Sequence, residues 1–222
     1  MSWPACKFRG INRASSHSRS NSKMAPSIIT KSKNKIKSIF SQSKTMASPV
    51  VLILGAGPRI GASVAENFAS QGYKVAVASR KGEGKINEKG YLSIKADFAD
   101  PQSIAPVFEA VKAEFGVPSV VIYNAATLTP PPVQDAALSI PSERVAGDLV
   151  VNTVSPYVAA QQALAAWETL PKETKKTFIY TGNAMGTTVI PVPLMLNLGI
   201  GKSASLFWVG VADLTYSARG VR

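Results

Sequence analysis

Val50-Val-Leu-Ile-Leu-Gly-Ala-Gly-Pro-Arg-Ile-Gly61 is the stretch whose reading decides the fold. Five consecutive apolar residues, three of them β-branched, suit a strand buried on both faces, as in a parallel sheet covered by helices. The glycines that follow break the strand, and Ala62–Gln71 then shows helical spacing ended by Gly72. The unit is therefore strand, glycine-rich turn, helix, the context required of a dinucleotide-binding turn. Gly55 can take the tight turn, Gly57 lets backbone approach a pyrophosphate, and Gly61 permits close packing of helix on strand. The helix N-terminus offers free N–H groups and a partial positive charge to phosphates. Glycines also serve ordinary tight turns; the position directly after the first strand is what favours the nucleotide reading.

Working outward, short apolar runs alternate with longer helical segments, the pattern of a parallel sheet with helices on both faces. Strands are expected at Lys74–Ala78, Tyr91–Ala96, Ser119–Tyr123 and Thr177–Thr181, the last of them buried. Helices are expected at Pro101–Phe115, from a cap at Ser142 through Trp167, and at Gly201–Ser217 with Phe207, Val211 and Leu214 on one side. A polar connection fills 81–90, four prolines make 127–141 a loop, and 187–197 reads as an irregular loop. No internal repeat is apparent. The predicted class is α/β: a three-layer αβα Rossmann fold with a doubly wound parallel sheet over residues 46–222.

The 222 residues carry a formal charge of +12, which would ordinarily suggest nucleic acid or a membrane surface. Ten of those charges, from Lys7 to Lys44, fall in residues 1–45, which hold no acid; the remainder of the chain is close to neutral. That segment is rich in Ser, Lys, Arg and Asn and cannot bury enough apolar surface to fold alone, so it reads as a disordered basic tail. It resembles a mitochondrial transit peptide, with Ile28, Ile29, Ile36, Ile39 and Phe40 able to line a short helix; alternatively Met46 is the working start. The expected location is accordingly the cytoplasm, or the mitochondrion if the tail is an address. Nucleic-acid binding is not expected, because no aromatic residues are interleaved with the charges. Apolar runs such as 50–54 and 206–212 fall far short of the about 20 residues that cross a bilayer, so no membrane partner is expected. Cys6 and His17 are the sole Cys and His, which leaves residues 46–222 without a disulfide, thiol nucleophile, His base or Cys/His metal site.

Cofactor choice follows from charge. A site preferring NAD places an acid at the end of the second strand to meet the ribose 2′-hydroxyl. Here that position reads Ser79-Arg80-Lys81. A guanidinium there pairs with a 2′-phosphate, and Arg59, next to Ile60 in the turn, can close on the same group, so NADP(H) is favoured over NAD(H). The alternative is that Arg80 and Lys81 are solvated loop charges.

The spacing of the turn, Gly-x-Gly-x-x-x-Gly, resembles that of the short-chain dehydrogenase/reductase family, whose turn is Gly-x-x-x-Gly-x-Gly. Gly55 and Gly61 match its first and last glycines, and Arg59 replaces the middle one. In the family's order follow Asp97-Phe98, Asn124-Ala125 after the fourth strand, Asn152 in Val-Val-Asn-Thr, and Lys202 in Leu-Gly-Ile-Gly-Lys. The resemblance spans about Val50 to Arg222 and implies an oxidoreductase acting on a carbonyl or alcohol of a small molecule. It implies that Asp97 meets the adenine amino group, that Asn124 holds the central strand beside the cofactor, and that Lys202 holds the nicotinamide ribose. Pairing of the helices at 142–167 and 201–217 between copies is implied likewise.

The same family moves the proton with a Tyr four residues before the Lys, helped by a Ser and by an Asn that maintains a relay water. Asn152 and Lys202 fill two of these four positions. Leu198 stands where the Tyr belongs and cannot move a proton; Asn183 stands at the Ser position, with Thr181 two residues away. Lys202 is otherwise a surface lysine at a helix start, where its charge would oppose the helix dipole. Tyr180 and Tyr216 are the remaining phenols to consider. With 20 residues after Lys202, the domain is expected to be incomplete at its C-terminus, its fifth strand an uncovered edge. Two functions are therefore open: an NADP(H)-dependent oxidoreductase, or a catalytically silent dinucleotide-binding protein with a sensing or assembly role.

Overall fold

The computed structural model describes residues 48–222; the basic tail, and everything expected of residues 1–45 and Met46, lie outside the described residues. Six strands, β1 (Val50–Leu54), β2 (Lys74–Ser79), β3 (Lys85–Ile86), β4 (Leu92–Lys95), β5 (Val120–Tyr123) and β6 (Thr177–Tyr180), form one sheet. Their spatial order is β3-β4-β2-β1-β5-β6. Every pairing is parallel except that of β3 on β4, so the sheet is mixed at one edge. The helices are α1 (Ile60–Ser70), α2 (Ile104–Glu114), α3 (Ser142–Leu149), α4 (Ser155–Trp167) and α5 (Leu196–Tyr216).

The apolar run of β1 is read from both sides. Val51 and Ile53 pack with Val75, Ile122 and Ala65 of α1, whereas Leu52 and Leu54 pack with Val107 and Val111 of α2 and with Ala159, Ala163 and Trp167 of α4. All five β1 residues are buried, each large side chain contributing about 1.5–3 kcal/mol of transfer free energy. Trp167 closes this core and donates its Nε1–H to the Pro118 carbonyl at 2.7 Å, so the indole is buried without a lost hydrogen bond. From β1 the chain crosses to β2 on one side, and from β4 it returns to β5 on the other. The order of strands thus reverses beside β1, which opens a crevice at the carboxyl ends of β1 and β5.

Several expectations are corrected. The 81–90 connection contains β3, whose Ile86 pairs with Leu92, giving six strands where five were expected. Ser142 does not cap its helix: Pro141, held at ψ 140°, occupies the cap and Ser142 is the first helical residue. The helix expected to run unbroken to Trp167 is interrupted by a π segment at Val150–Val154. β6 is half-exposed and not a buried strand, and its outer edge is not bare. Arg222 donates to the Lys176 carbonyl at 3.0 Å and accepts from the Phe178 amide at 2.7 Å. α5 begins five residues earlier than expected, and Phe207, Val211 and Leu214 face outward, at 76%, 50% and 83% exposure. Taken with its flanks, Pro193–Arg219, this helix is long and apolar enough to cross a membrane by composition, which its longest apolar run did not show.

Candidate functional site

The crevice is a cleft of ≈ 960 Å³ at the carboxyl ends of β1, β2, β4 and β5. Gly55, Arg59, Ile60, Gly61, Ser79, Arg80, Asp97, Phe98, Asn124 and Ala125, ten of the eleven positions expected to contact a cofactor, all line it. The turn owes its shape to its glycines. Gly55 has φ 100°, and a Cβ there would lie 2.3 Å from the Ala125 amide nitrogen; at Gly61 it would lie 2.7 Å from the Ala56 Cα. Gly57 differs, since a Cβ there meets nothing within 4 Å, so bare backbone borders open cleft. Asn124 donates from Nδ2 to the Gly55 carbonyl at 2.8 Å and ties the end of β5 to the turn. Asp97 is exposed and accepts from the Ala99 amide at 3.0 Å, while the Phe98 ring is buried against Tyr123, so that position borders the cleft without offering a polar side chain. Arg59, Arg80 and Lys81 are exposed on the rim beside β2. Bare backbone and a helix N-terminus around one cleft, with three cations on its rim, fit a dinucleotide.

The three positions expected to be catalytic lie outside that lining. Asn152 is fully buried in the π segment, and both ends of its amide are engaged: Oδ1 accepts from the Thr127 amide at 3.1 Å, and Nδ2 donates to the Thr127 carbonyl at 2.8 Å. A π segment frees main-chain carbonyls from the α-helical ladder. Here hydroxyls take them up: Tyr123 donates to Val151 at 2.7 Å, and Tyr180 and Ser205 both donate to Asn152, at 2.9 and 2.8 Å. α5 crosses this segment at Gly201, where a Cβ would lie 2.5 Å from the Asn152 Cβ. Asn183 is exposed and caps the turn at Ala184–Gly186 by accepting from the Met185 amide at 3.1 Å.

Lys202 is not a surface lysine at a helix start. It sits six residues into α5, 5% exposed, and its Nζ donates to the Thr181 carbonyl at 2.7 Å. The Tyr180 ring lies beneath the ammonium, 4.4 Å from centroid to Nζ. Burial pulls this lysine below its ordinary pKa. Burial likewise pushes Tyr180 and Tyr123 above the ordinary phenol value, opposed at Tyr180 by the Ser205 hydroxyl. Tyr216 is at the far end of α5 against Arg219, away from the cleft.

Sequence reasoning missed one cluster. The Asp148 carboxylate, 4% exposed, accepts from the Thr129 amide at 2.7 Å, the Thr129 hydroxyl at 3.1 Å and Asn197 Nδ2 at 2.9 Å, and so joins α3, the 127–141 loop and the start of α5. The available signal was an acid four residues before Asn152, on the same helical face. Tyr180, Ser205 and Thr127 gave none, since their roles exist only once the π segment has formed.

Comparison with known proteins agrees with this geometry. Residues 49–187 match a family described as short chain dehydrogenase. A short chain dehydrogenase/reductase of Cryptosporiopsis sp. (strain 8999) is 37% identical over 189 residues, covering 80% of this chain and 75% of that protein. A glucose 1-dehydrogenase of Gluconobacter oxydans is 27% identical over 186 residues, 79% of this chain and 66% of that protein. Among solved structures, a 3-ketoacyl-(acyl-carrier-protein) reductase of Brucella melitensis, complexed with NADH, superposes with a TM-score of 0.69 at 22% identity. It covers 78% of this chain and 72% of that one, a likeness of fold alone.

Proposed function

The chain belongs to the short chain dehydrogenase family of NAD(P)(H)-binding oxidoreductases, and from that premise we propose that it is an NADP(H)-dependent oxidoreductase acting on a carbonyl or alcohol of a small molecule. A bound nicotinamide dinucleotide supplies or accepts the hydride. The observation that carries the cofactor choice is the cationic rim, Arg59, Arg80 and Lys81, where an NAD-preferring site would hold an acid. Arg80 and Arg59 take the 2′-phosphate between them, the first turn of α1 takes the pyrophosphate, Asp97 meets the adenine amino group, and Lys202 meets the nicotinamide ribose.

Titration of the full-length protein with NADPH and NADH, followed by nicotinamide fluorescence, tests the assignment. Arg80→Asp should weaken NADPH at least tenfold and leave NADH nearly unchanged; equal effects on both would remove the phosphate contact. The Brucella relative was solved with NADH, so that cofactor is the direct competitor. A second reading, a dinucleotide-binding protein without turnover, is favoured by Leu198 one turn before Lys202. Reduction of a carbonyl panel above the enzyme-free rate, lost in Lys202→Ala, would exclude it. The outward stripe of Ile200, Phe207, Val211 and Leu214 on α5 supports self-association along that helix.

A further inference from the structure

Two of the three cations on the cleft rim are carried by a turn whose position the adjoining strands fix. β2 ends at Ser79, and Arg80 and Lys81 are the central residues of a turn that Gly82 closes by donating its amide to the Ser79 carbonyl at 3.1 Å. That carbonyl also accepts from the Ala96 amide at 3.0 Å, which ties the turn to the end of β4. The Ser79 hydroxyl accepts from the Lys81 amide at 3.3 Å. Beyond the turn the chain lies flat on β4. A Cβ at Gly82 would lie 1.9 Å from the carbonyl carbon and oxygen of Ile94 and 2.3 Å from the Lys95 amide nitrogen, the tightest approach of any glycine among the described residues. The φ of Gly82 is not positive, so the demand for glycine is one of space alone. Gly84 then donates to the Ser93 carbonyl at 2.7 Å, and Lys85 of β3 pairs with Ser93. Glu83, the acid of this connection, pairs with Lys85 at 2.9 Å and does not line the cleft, whereas Ser79, Arg80 and Lys81 do.

We propose that Gly82 is a specificity-determining residue: its contact with the Ile94–Lys95 peptide fixes the turn that presents Arg80 and Lys81 to the 2′-phosphate of NADP(H). The inference rests on the NADP(H) reading and adds to it a positioning residue that touches no cofactor. Arg80 and Lys81 are exposed, and each long side chain loses rotamer freedom when it closes on a phosphate. A turn already held in place keeps backbone freedom out of that cost. A methyl group at position 82 finds no relief in side-chain rotation, because the atoms it meets are main-chain atoms of β4, and β4 is held between β2 and β3. The turn is what gives way: it lifts from β4 and carries Arg80 and Lys81 off the rim. The glycine turn and the start of α1, which take the pyrophosphate, follow β1 and bond to β2 at Ala78, before the lifted segment begins. A dinucleotide without the 2′-phosphate therefore loses little.

The test titrates the full chain with NADPH and NADH by nicotinamide fluorescence, and with 2′,5′-ADP and 5′-AMP as the adenine ends of the two cofactors. Gly82→Ala should weaken NADPH and 2′,5′-ADP by at least about tenfold, the weight of one charge-assisted hydrogen bond, and NADH and 5′-AMP by less than about threefold. A second variant, with one glycine inserted between Gly82 and Glu83, brings no atom into the contact but unties the turn from β3, and it should show the same selective loss. Thermal unfolding followed by circular dichroism accompanies both variants. Gly82→Ala decides if it melts cooperatively, and the insertion decides if it does not. An unchanged ratio of NADPH to NADH affinity in the deciding variant, or an equal loss on both cofactors, would overturn the proposal. So would two variants that both fail to melt cooperatively, since Gly82 would then serve the fold and not the choice of cofactor. A wild type that binds NADH as tightly as NADPH would instead refute the NADP(H) reading itself.

Discussion

Two glycines in α5 should respond to the same substitution with opposite signs. At Gly201 an added Cβ lies 2.5 Å from the Asn152 Cβ, while at Gly210 it meets nothing within 4 Å. Ordinary carbon–carbon contact begins at about 3.5 Å, so Gly201→Ala must push α5 away from the π segment by about 1 Å. Overpacking of that kind costs about 1–3 kcal/mol, against about 1 kcal/mol gained from the better helix propensity of Ala. The displacement also stretches three contacts that α5 makes, from Ser205 to Asn152, from Lys202 to Thr181 and from Asn197 to Asp148. The net expectation is a loss of about 1–2 kcal/mol for Gly201→Ala, where contact outweighs propensity, and a gain of up to about 1 kcal/mol for Gly210→Ala, where propensity acts alone. In a domain of this size each kcal/mol moves Tm by about 2–4 °C, so the two variants should melt on opposite sides of wild type. Urea unfolding followed by circular dichroism measures the same difference at constant temperature. If Gly201→Ala is stabilised as much as Gly210→Ala, α5 does not cross the π segment at the distance described, and the placement of Lys202 falls with it.

Three further outcomes follow from the buried groups and the outer face of α5. Asp148→Ala should cost at least about 2 kcal/mol in urea unfolding, because it strands the Thr129 amide and Asn197 Nδ2 without an acceptor; a neutral result would mean that solvent replaces the carboxylate. Stability against pH should turn over near pH 10. Lys202, lowered by burial, takes up its proton more readily when unfolded, so stability rises with pH from its folded pKa towards 10.5. Tyr123 and Tyr180, raised by burial, ionise first in the unfolded chain, so stability falls above about pH 10 by at most about 1.4 kcal/mol per pH unit for each; Tyr180→Phe should make that fall shallower, and an unchanged slope would contradict its burial. The double variant Phe207→Glu, Leu214→Glu should shift the protein towards monomer in sedimentation equilibrium while leaving the melting of the monomer within about 1 kcal/mol, since both side chains are exposed; an unaltered association state would remove α5 from any interface.

The two ends of the site differ in how legible they were, for a physical reason. At the nucleotide end the requirements fall on the backbone, and backbone requirements are written in residue type. Gly55 is needed because φ is 100° and Ala125 stands against it, Gly61 because the helix touches Ala56, and the rim charges lie within a few residues of a strand end that periodicity located. At the other end the requirements fall on carbonyl groups freed by a π segment, and carbonyls are the same in every residue. Val-Val-Asn-Thr-Val, at 150–154, has the composition of any half-buried helix, and nothing in it announces an extra residue in the turn. Tyr123, Tyr180 and Ser205, spread over 83 positions of sequence, converge on that segment through β5, β6 and α5. Their commitment in turn decides what is left to do chemistry. A phenol that gives its proton to a buried carbonyl, and is pushed further from ionising by the same burial, is a poor acid towards anything else. The departure at Leu198 reads in the sequence as a missing tyrosine, whereas the fold shows two tyrosines nearby committed to the carbonyls of the π segment and Lys202 held on the Thr181 carbonyl.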